Sequence, residues 1–184
     1  MKTKFVLHGG FNKEKGYIKD EFFREALKDT GPDVKIFLVF FAEMQEHLVL
    51  RIKQCKEQFN NNKCAKNLEF QMATKENFSE GCAWADIIFL SGGRTVTLWE
   101  ALKEFPNLKQ LFKNKTVVGD SAGVNVLGRL SYSRKTKEIN QGIGILPYKI
   151  LVHYSGEMDN PLADSEPDTE TLFVHEYETI VKYY

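Results

Sequence analysis

A serine in a tight glycine turn is the residue of this sequence best suited to chemistry. Three β-favouring residues, Thr116 to Val118, run into Gly119-Asp120-Ser121-Ala122-Gly123, a G-x-S-x-G pattern, and a helix is predicted to follow. A strand, a tight turn and a helix in that order form a nucleophile elbow, in which the strained turn lifts the serine Oγ above the sheet. We therefore predict that Ser121 is a nucleophile.

A serine hydroxyl needs a general base within hydrogen-bond reach. His153 follows the apolar run 150–152 at its carboxyl end, the sheet edge where Ser121 is also expected. We predict that His153 is the base, with His175 and His8 as alternatives. His47 lies in a helical pattern and is interpreted as a surface residue.

The base in turn needs a carboxylate to orient it. Glu138 is the one acidic residue between Ser121 and His153, and we predict that it completes the triad. Glu157 and the other acids of the loop 155–169 are the alternatives.

Paired glycines after an earlier strand supply candidates for stabilising the oxyanion. Ser91-Gly92-Gly93 ends an apolar strand, and backbone N–H groups freed by such a turn can face a developing negative charge. We predict an oxyanion hole made by the N–H groups of Gly93 and Ala122. Gly92 and Asp120 are expected to line the substrate site, and Arg94, at the start of the next helix, is predicted to pair a substrate carboxylate.

The elements that position these residues alternate along the chain. Apolar runs at 5–7, 34–41, 68–72, 86–90 and 116–118 predict strands of a mainly parallel sheet. Helical spacing is present from Asp20 or Lys19 onwards and at 43–59, 78–84, 96–105 and 121–130. The stretch 131–140 is polar and basic, and the runs 172–174 and 179–181 predict a small C-terminal β-hairpin. The sequence thus predicts one α/β domain over residues 1–184, with ligands outside the carboxyl ends of the strands.

The composition is that of an ordinary globular protein of 184 residues, 42% of them hydrophobic. The chain has 25 Lys and Arg residues and 25 Asp and Glu residues, so its formal net charge is zero. The charge therefore gives no indication of a nucleic acid or a membrane surface as partner. The expected partner is instead a small molecule or a second copy of the chain. The protein is expected to be a monomer or a homodimer. The three cysteines include no C-x-x-C pair, which argues against disulfides and structural zinc, and no metal or cofactor is expected. With no signal-peptide pattern and no long apolar segment, a cytoplasmic location is expected.

Four motifs in order resemble those of the S51 family of serine peptidases, which includes peptidase E, the aspartyl dipeptidase, and cyanophycinase. They are Leu7-His8-Gly9-Gly10, Leu90-Ser91-Gly92-Gly93, Gly119-Asp120-Ser121-Ala122-Gly123 and the strand end His153-Tyr154. The resemblance spans residues 4 to 158 and implies a flavodoxin-like, three-layer sandwich related to class I glutamine amidotransferases. It also implies a Ser-His-Asp/Glu triad and hydrolysis of small peptides, especially dipeptides with an N-terminal aspartate.

Some residues depart from the family pattern. Arg94 stands where relatives commonly have asparagine, Asp120 precedes the nucleophile, and no arginine follows His153-Tyr154 to hold a substrate aspartate. A non-catalytic or altered-specificity binding or regulatory protein of this fold is therefore the alternative function. A cysteine-dependent amidotransferase activity is disfavoured because no cysteine stands at an elbow.

Overall fold

The computed structural model describes residues 2–11, 20–157 and 159–184, which form two β-sheets with flanking helices. The strands are β1 (Lys4–His8), β2 (Asp33–Val39), β3 (Asn67–Met72), β4 (Ile87–Leu90), β5 (Thr116–Asp120), β6 (Leu130–Ser133), β7 (Glu138–Gln141), β8 (Lys149–Tyr154), β9 (Thr171–His175) and β10 (Thr179–Tyr183). The helices are α1 (Asp20–Leu27), α2 (Gln45–Asn61), α3 (Phe78–Trp84), α4 (Thr95–Leu102), α5 (Leu108–Leu111) and α6 (Ala122–Leu127). The predicted α/β class is confirmed; a helix start at Lys19 lies outside the described residues.

The larger sheet has six strands in the order β10-β1-β5-β4-β2-β3, and all pairs except β10 with β1 are parallel. Its strands are almost continuously apolar because both faces are covered. In β2, Ile36 and Leu38 pack with α1 and α2 on one face, while Phe37 and Val39 pack with the helices of the other face. This alternation produces the predicted three-layer arrangement.

Parallel pairing brings the functional loops together. β5 lies between β1 and β4, with Leu7 opposite Gly119 and Leu90 also opposite Gly119. The loops that follow these three strands therefore leave the same edge of the sheet at neighbouring positions.

The smaller sheet, of order β7-β6-β8-β9, includes strands that the sequence did not reveal. The polar stretch 131–140 forms the antiparallel pair β6 and β7, and α6 ends at Leu127 rather than near residue 130. β7 is an edge strand whose residues are mostly exposed, so its pattern shows no apolar alternation.

The C-terminal runs form two strands as predicted, but these strands do not pair with each other. β9 runs parallel to β8 in the smaller sheet, and β10 runs antiparallel to β1 in the larger one. The turn between them donates the Glu178 N–H to the His175 carbonyl at 3.1 Å and passes from one sheet to the other. Alternating apolar residues predict a strand but not the strand with which it pairs. The predicted pairing of β9 with β10 in a hairpin is therefore wrong.

Among the helices of the described ranges, none combines the length and apolar character that crossing a bilayer requires.

Candidate active site

Ser121 occupies a strained turn between β5 and α6. Its φ of 48° and ψ of −100° are unusual for a residue with a side chain, and its N–H donates to the His8 carbonyl at 2.9 Å. The flanking glycines permit the turn, since a Cβ on Gly123 would lie 2.2 Å from the Leu90 carbonyl oxygen. The geometry is that of a nucleophile elbow.

His153 reaches the serine from the smaller sheet. The pairing of β8 with β9 shifts register between Leu151 and Tyr154, and His153 has a φ of 54° within this irregularity. Such a bulge re-aims a side chain, and the His153 N–H donates to the Gly9 carbonyl, at 2.9 Å. The His153 Nε2 lies 2.9 Å from the Ser121 Oγ, so Nε2 can accept the hydroxyl proton when Nδ1 carries the ring hydrogen.

The acid that faces His153 is Glu176, with its Oε1 3.6 Å from the His153 Nδ1. Glu176 belongs to the turn between β9 and β10, and both side chains are 31% exposed. This turn is fixed where the Tyr177 N–H donates to the Gly10 carbonyl at 2.8 Å and the His175 N–H donates to Glu178 Oε2 at 2.7 Å. The Ser121 hydroxyl, the His153 imidazole and the Glu176 carboxylate thus lie next to one another in that order.

The structure does not bring Glu138 to these residues. Glu138 is exposed at the start of the edge strand β7, opposite Ser133, and its side chain makes no hydrogen bond or ion pair with any described residue. Glu157 is likewise exposed. Glu176 lies further along the chain than Glu138 and the loop 155–169, and the turn after β9 brings it back to His153.

The two alternative histidines have other surroundings. His8 is buried with its Nδ1 3.0 Å from Asp120 Oδ1, and the Gly10 N–H points at the same nitrogen from 3.1 Å. His175 is exposed on β9, with its ring 5.0 Å from that of Tyr154. Neither imidazole is directed at the Ser121 hydroxyl.

The predicted oxyanion groups lie beside the serine. Gly92 and Gly93 line the same cavity as Ser121, and Gly93 has a φ of 134° that favours glycine. Ala122 is the first residue of α6, so its N–H has no acceptor within the helix. The N–H groups of Gly93 and Ala122 make no hydrogen bond to any other described residue.

Asp120 is buried within the elbow, where its carboxylate lies against His8 and faces Gly92. A Cβ on Gly92 would lie 3.5 Å from the Asp120 Oδ2, an ordinary van der Waals distance. Asp120 and Gly92 both border the cavity next to Ser121, and their contact with a substrate stays a prediction.

A cavity of about 580 Å³ opens next to Ser121 and His153. Much of its wall is apolar, with contributions from Phe11, Phe40, Met44, Leu50 and Phe89.

The arginine at this cavity is Arg51, on α2. Its Nε lies 3.8 Å from Glu43 Oε2, its Nη1 donates to Gln54 Oε1 at 3.1 Å, and its guanidinium stands 6.0 Å from the Phe11 ring centre. Arg94 is exposed immediately before α4 and is not among the residues that line the cavity. Sequence reasoning missed Arg51 because it lies in a helix far along the chain from the serine motif.

The described residues contain no cluster of three or more His, Cys, Asp or Glu side chains arranged to hold a metal ion.

Comparisons with known proteins find similarity over almost the whole chain. The model of Peptidase family S51 matches residues 5–181. A peptidase from an acI-B1 Actinobacterium shares the fold with a TM-score of 0.74 at 19% identity, over 99% of this chain and 84% of that one. A Listeria monocytogenes EGD-e protein provisionally named peptidase E has a TM-score of 0.62 at 16% identity, over 100% of both chains. No curated protein matches the chain.

Proposed function

Because the chain belongs to peptidase family S51, we propose that it is a serine peptidase that hydrolyses small peptides through Ser121, His153 and Glu176. The observation that carries this proposal is the distance of 2.9 Å between the Ser121 Oγ and the His153 Nε2. Ser121 itself has a strained backbone, with a φ of 48°. A strained serine held against a histidine is the arrangement that serine nucleophiles require.

The proposed reaction begins when the Ser121 Oγ attacks the scissile carbonyl and His153 takes its proton at Nε2. The carboxylate of Glu176, near Nδ1, favours the imidazolium that then forms. His153 returns the proton to the leaving nitrogen, and an acyl-enzyme remains on Ser121. Water, deprotonated by the same histidine, releases the acid product.

The negative charge on the tetrahedral intermediate needs donors that are already in place. The N–H groups of Gly93 and Ala122 flank the serine and have no other acceptor among the described residues. Loss of one such donor costs about 3 to 4 kcal/mol of transition-state stabilisation in serine peptidases. We therefore retain Gly93 and Ala122 as the proposed oxyanion hole.

The proposed substrates are dipeptides whose N-terminal residue is aspartate or another acidic residue. Arg51 supports this specificity, since its guanidinium lies at the cavity beside the serine and can pair a carboxylate in a bidentate manner. Glu43, 3.8 Å from Arg51, supplies a negative group for the substrate ammonium. An N-terminal acidic residue has a side-chain carboxylate that can pair with Arg51 and an ammonium group that can pair with Glu43.

The test is a screen of dipeptides that vary in the N-terminal residue, with Ser121→Ala as the control. Removal of the nucleophile is expected to lower kcat by roughly 10⁶-fold. A fluorophosphonate should label the parent protein stoichiometrically and leave Ser121→Ala unlabelled. Hydrolysis that survives in Ser121→Ala would disprove the mechanism, and an unlabelled, inactive parent would favour the non-catalytic alternative.

A further inference from the structure

An arginine from the smaller sheet contacts the catalytic histidine itself. The Arg134 Nη1 donates to the His153 carbonyl at 2.7 Å from the turn between β6 and β7. We propose that Arg134 binds the free C-terminal carboxylate of the residue that leaves, so that the site selects dipeptides over longer or amidated peptides. This inference rests on the proposed peptidase function and adds the part of the substrate beyond the scissile bond.

The Arg134 guanidinium has N–H donors that can bind a ligand. The bond to the His153 carbonyl is the only hydrogen bond or ion pair that Arg134 makes with the described residues, and its side chain is exposed. A guanidinium has five N–H donors in a planar fork that matches a carboxylate. Arg134 is thus anchored at one nitrogen and open at the others.

The bond to the His153 carbonyl places the Arg134 guanidinium beside the residue that must meet the leaving group. His153 delivers its proton to the leaving nitrogen, so the residue that carries this nitrogen passes against His153. In a dipeptide the terminal carboxylate follows within one residue, a span of at most ~3.6 Å. A side chain bonded to the backbone of His153 is placed to meet a carboxylate at this short distance.

The turn that carries Arg134 is ordered and basic. The Lys137 N–H donates to the Ser133 carbonyl at 2.7 Å, and the Thr136 N–H donates to the Ser133 Oγ at 3.2 Å. Lys135 and Lys137 are exposed and make no ion pair with a described residue. Positive charge on this side of the site favours the approach of a carboxylate.

A purely structural role for Arg134 would have a different signature. If its guanidinium only held the His153 backbone, its removal would harm all substrates equally. If it binds the terminal carboxylate, the loss depends on whether the substrate has one. Paired substrates therefore separate the two roles.

The kinetic test compares Asp-Ala with its C-terminal amide and with Asp-Ala-Ala. The parent should prefer Asp-Ala over both, and Arg134→Gln should lower kcat/KM for Asp-Ala about tenfold, mainly through KM, with little change for the amide. Arg134→Lys, which keeps the charge without the fork, should recover part of the loss. Lys109→Gln, which removes an exposed cation on α5 away from the cavity lining, should leave the ratio of kcat/KM for the free peptide to that for the amide unchanged.

A binding test keeps this inference separate from the chemistry. In a Ser121→Ala background, titration calorimetry should show that Asp-Ala binds more tightly than its amide, and adding Arg134→Gln should abolish the difference. An equal loss for both ligands, or equal binding by Ser121→Ala itself, would overturn the inference. If carboxylate-dependent binding persists while the parent protein shows neither hydrolysis nor fluorophosphonate labelling, the carboxylate site stands and the peptidase proposal fails.

Discussion

At the level of single residues, the position of the carboxylate next to His153 is the feature that most depends on the fold. Ser121 directly follows β5 of the larger sheet, whereas His153 lies within β8 of the smaller sheet. The two side chains meet, but the expectation that both lie at the edge of one sheet is wrong. Glu176 lies in a turn between strands of different sheets, and only the crossing of that turn brings it to within 3.6 Å of the His153 Nδ1. Glu138 is closer to the serine in sequence, yet it occupies an edge strand.

Glu176→Gln should therefore lower kcat, while Glu138→Gln should not. We expect a loss of about 100-fold for Glu176→Gln, less than the ~10⁴-fold typical of buried triad acids, because both partners are 31% exposed. Steady-state kinetics with the best dipeptide measures this. A larger loss in Glu138→Gln than in Glu176→Gln would restore the assignment made from the sequence.

Arg51 and Arg94 compete for the recognition of an acidic substrate side chain, and a pair of substrates decides between them. Asp-Ala and Asn-Ala have the same shape and differ in charge. Arg51→Gln should reduce the preference for Asp-Ala about tenfold, because a charge-assisted bidentate pair is lost. Arg94→Gln should leave the kcat/KM ratio of the two substrates unchanged, and the opposite pattern would assign recognition to Arg94.

At the level of elements, the loop after β1 connects the larger sheet to the smaller one through backbone hydrogen bonds. The Gly9 carbonyl accepts the His153 N–H and the Gly10 carbonyl accepts the Tyr177 N–H, so the base and the turn with Glu176 are both tied to it. Both positions require glycine because a Cβ would collide with neighbouring atoms. A Cβ on Gly9 would lie 1.9 Å from the His175 carbonyl oxygen, and one on Gly10 would lie 2.1 Å from the His153 Cε1.

Gly10→Ala should consequently inactivate the protein by displacing the imidazole of His153. Gly144→Ala is the matched control, since Gly144 also has a positive φ, of 64°, but a Cβ there would have no neighbour within 4 Å. Both substitutions should lower the free energy of unfolding by about 1 kcal/mol or more through backbone strain. Urea denaturation measures this shared cost, and kcat/KM should fall in Gly10→Ala alone. Equal activities in the two variants would show that the contact with the imidazole is relieved without consequence.

The elements themselves were predictable to the extent that their burial left a pattern. β4 is fully buried and appears in the sequence as an unbroken apolar run, and β2 and β5 contain the shorter apolar runs 36–39 and 117–118. β6 and β7 are partly or fully exposed, and their residues give no such signal. The bulge that turns His153 toward the serine also leaves no mark in residue type. Thus the apolar strands indicated that Ser121 and His153 lie close together. Glu176 and Arg134 come to His153 from turns next to strands of the second sheet, and Arg51 comes to the cavity from a helix on the first sheet.

At the scale of the whole molecule, the six-stranded sheet divides the core into two clusters with one buried cysteine in each. Cys82 packs with the helices on one face, and Cys55 packs with α1 and α2 on the other. Burial raises the pKa of the Cys82 thiol to about 12, so almost none of it is thiolate at neutral pH. Cys64 is exposed. The three thiols therefore report on the surface and on each half of the core separately.

This arrangement tests the prediction that residues 1–184 fold as one domain. In the native protein a thiol reagent at pH 8 should modify Cys64 rapidly and Cys55 and Cys82 slowly, and denaturant should make all three reactive. In a Cys64→Ser background at increasing urea, Cys55 and Cys82 should become reactive with the same midpoint, because both clusters share the strands of one sheet and open together. Separate midpoints would mean that the helices on one face can detach while the sheet persists. Fluorophosphonate labelling of Ser121 in the same samples would then show which of the two layers holds the active site in order.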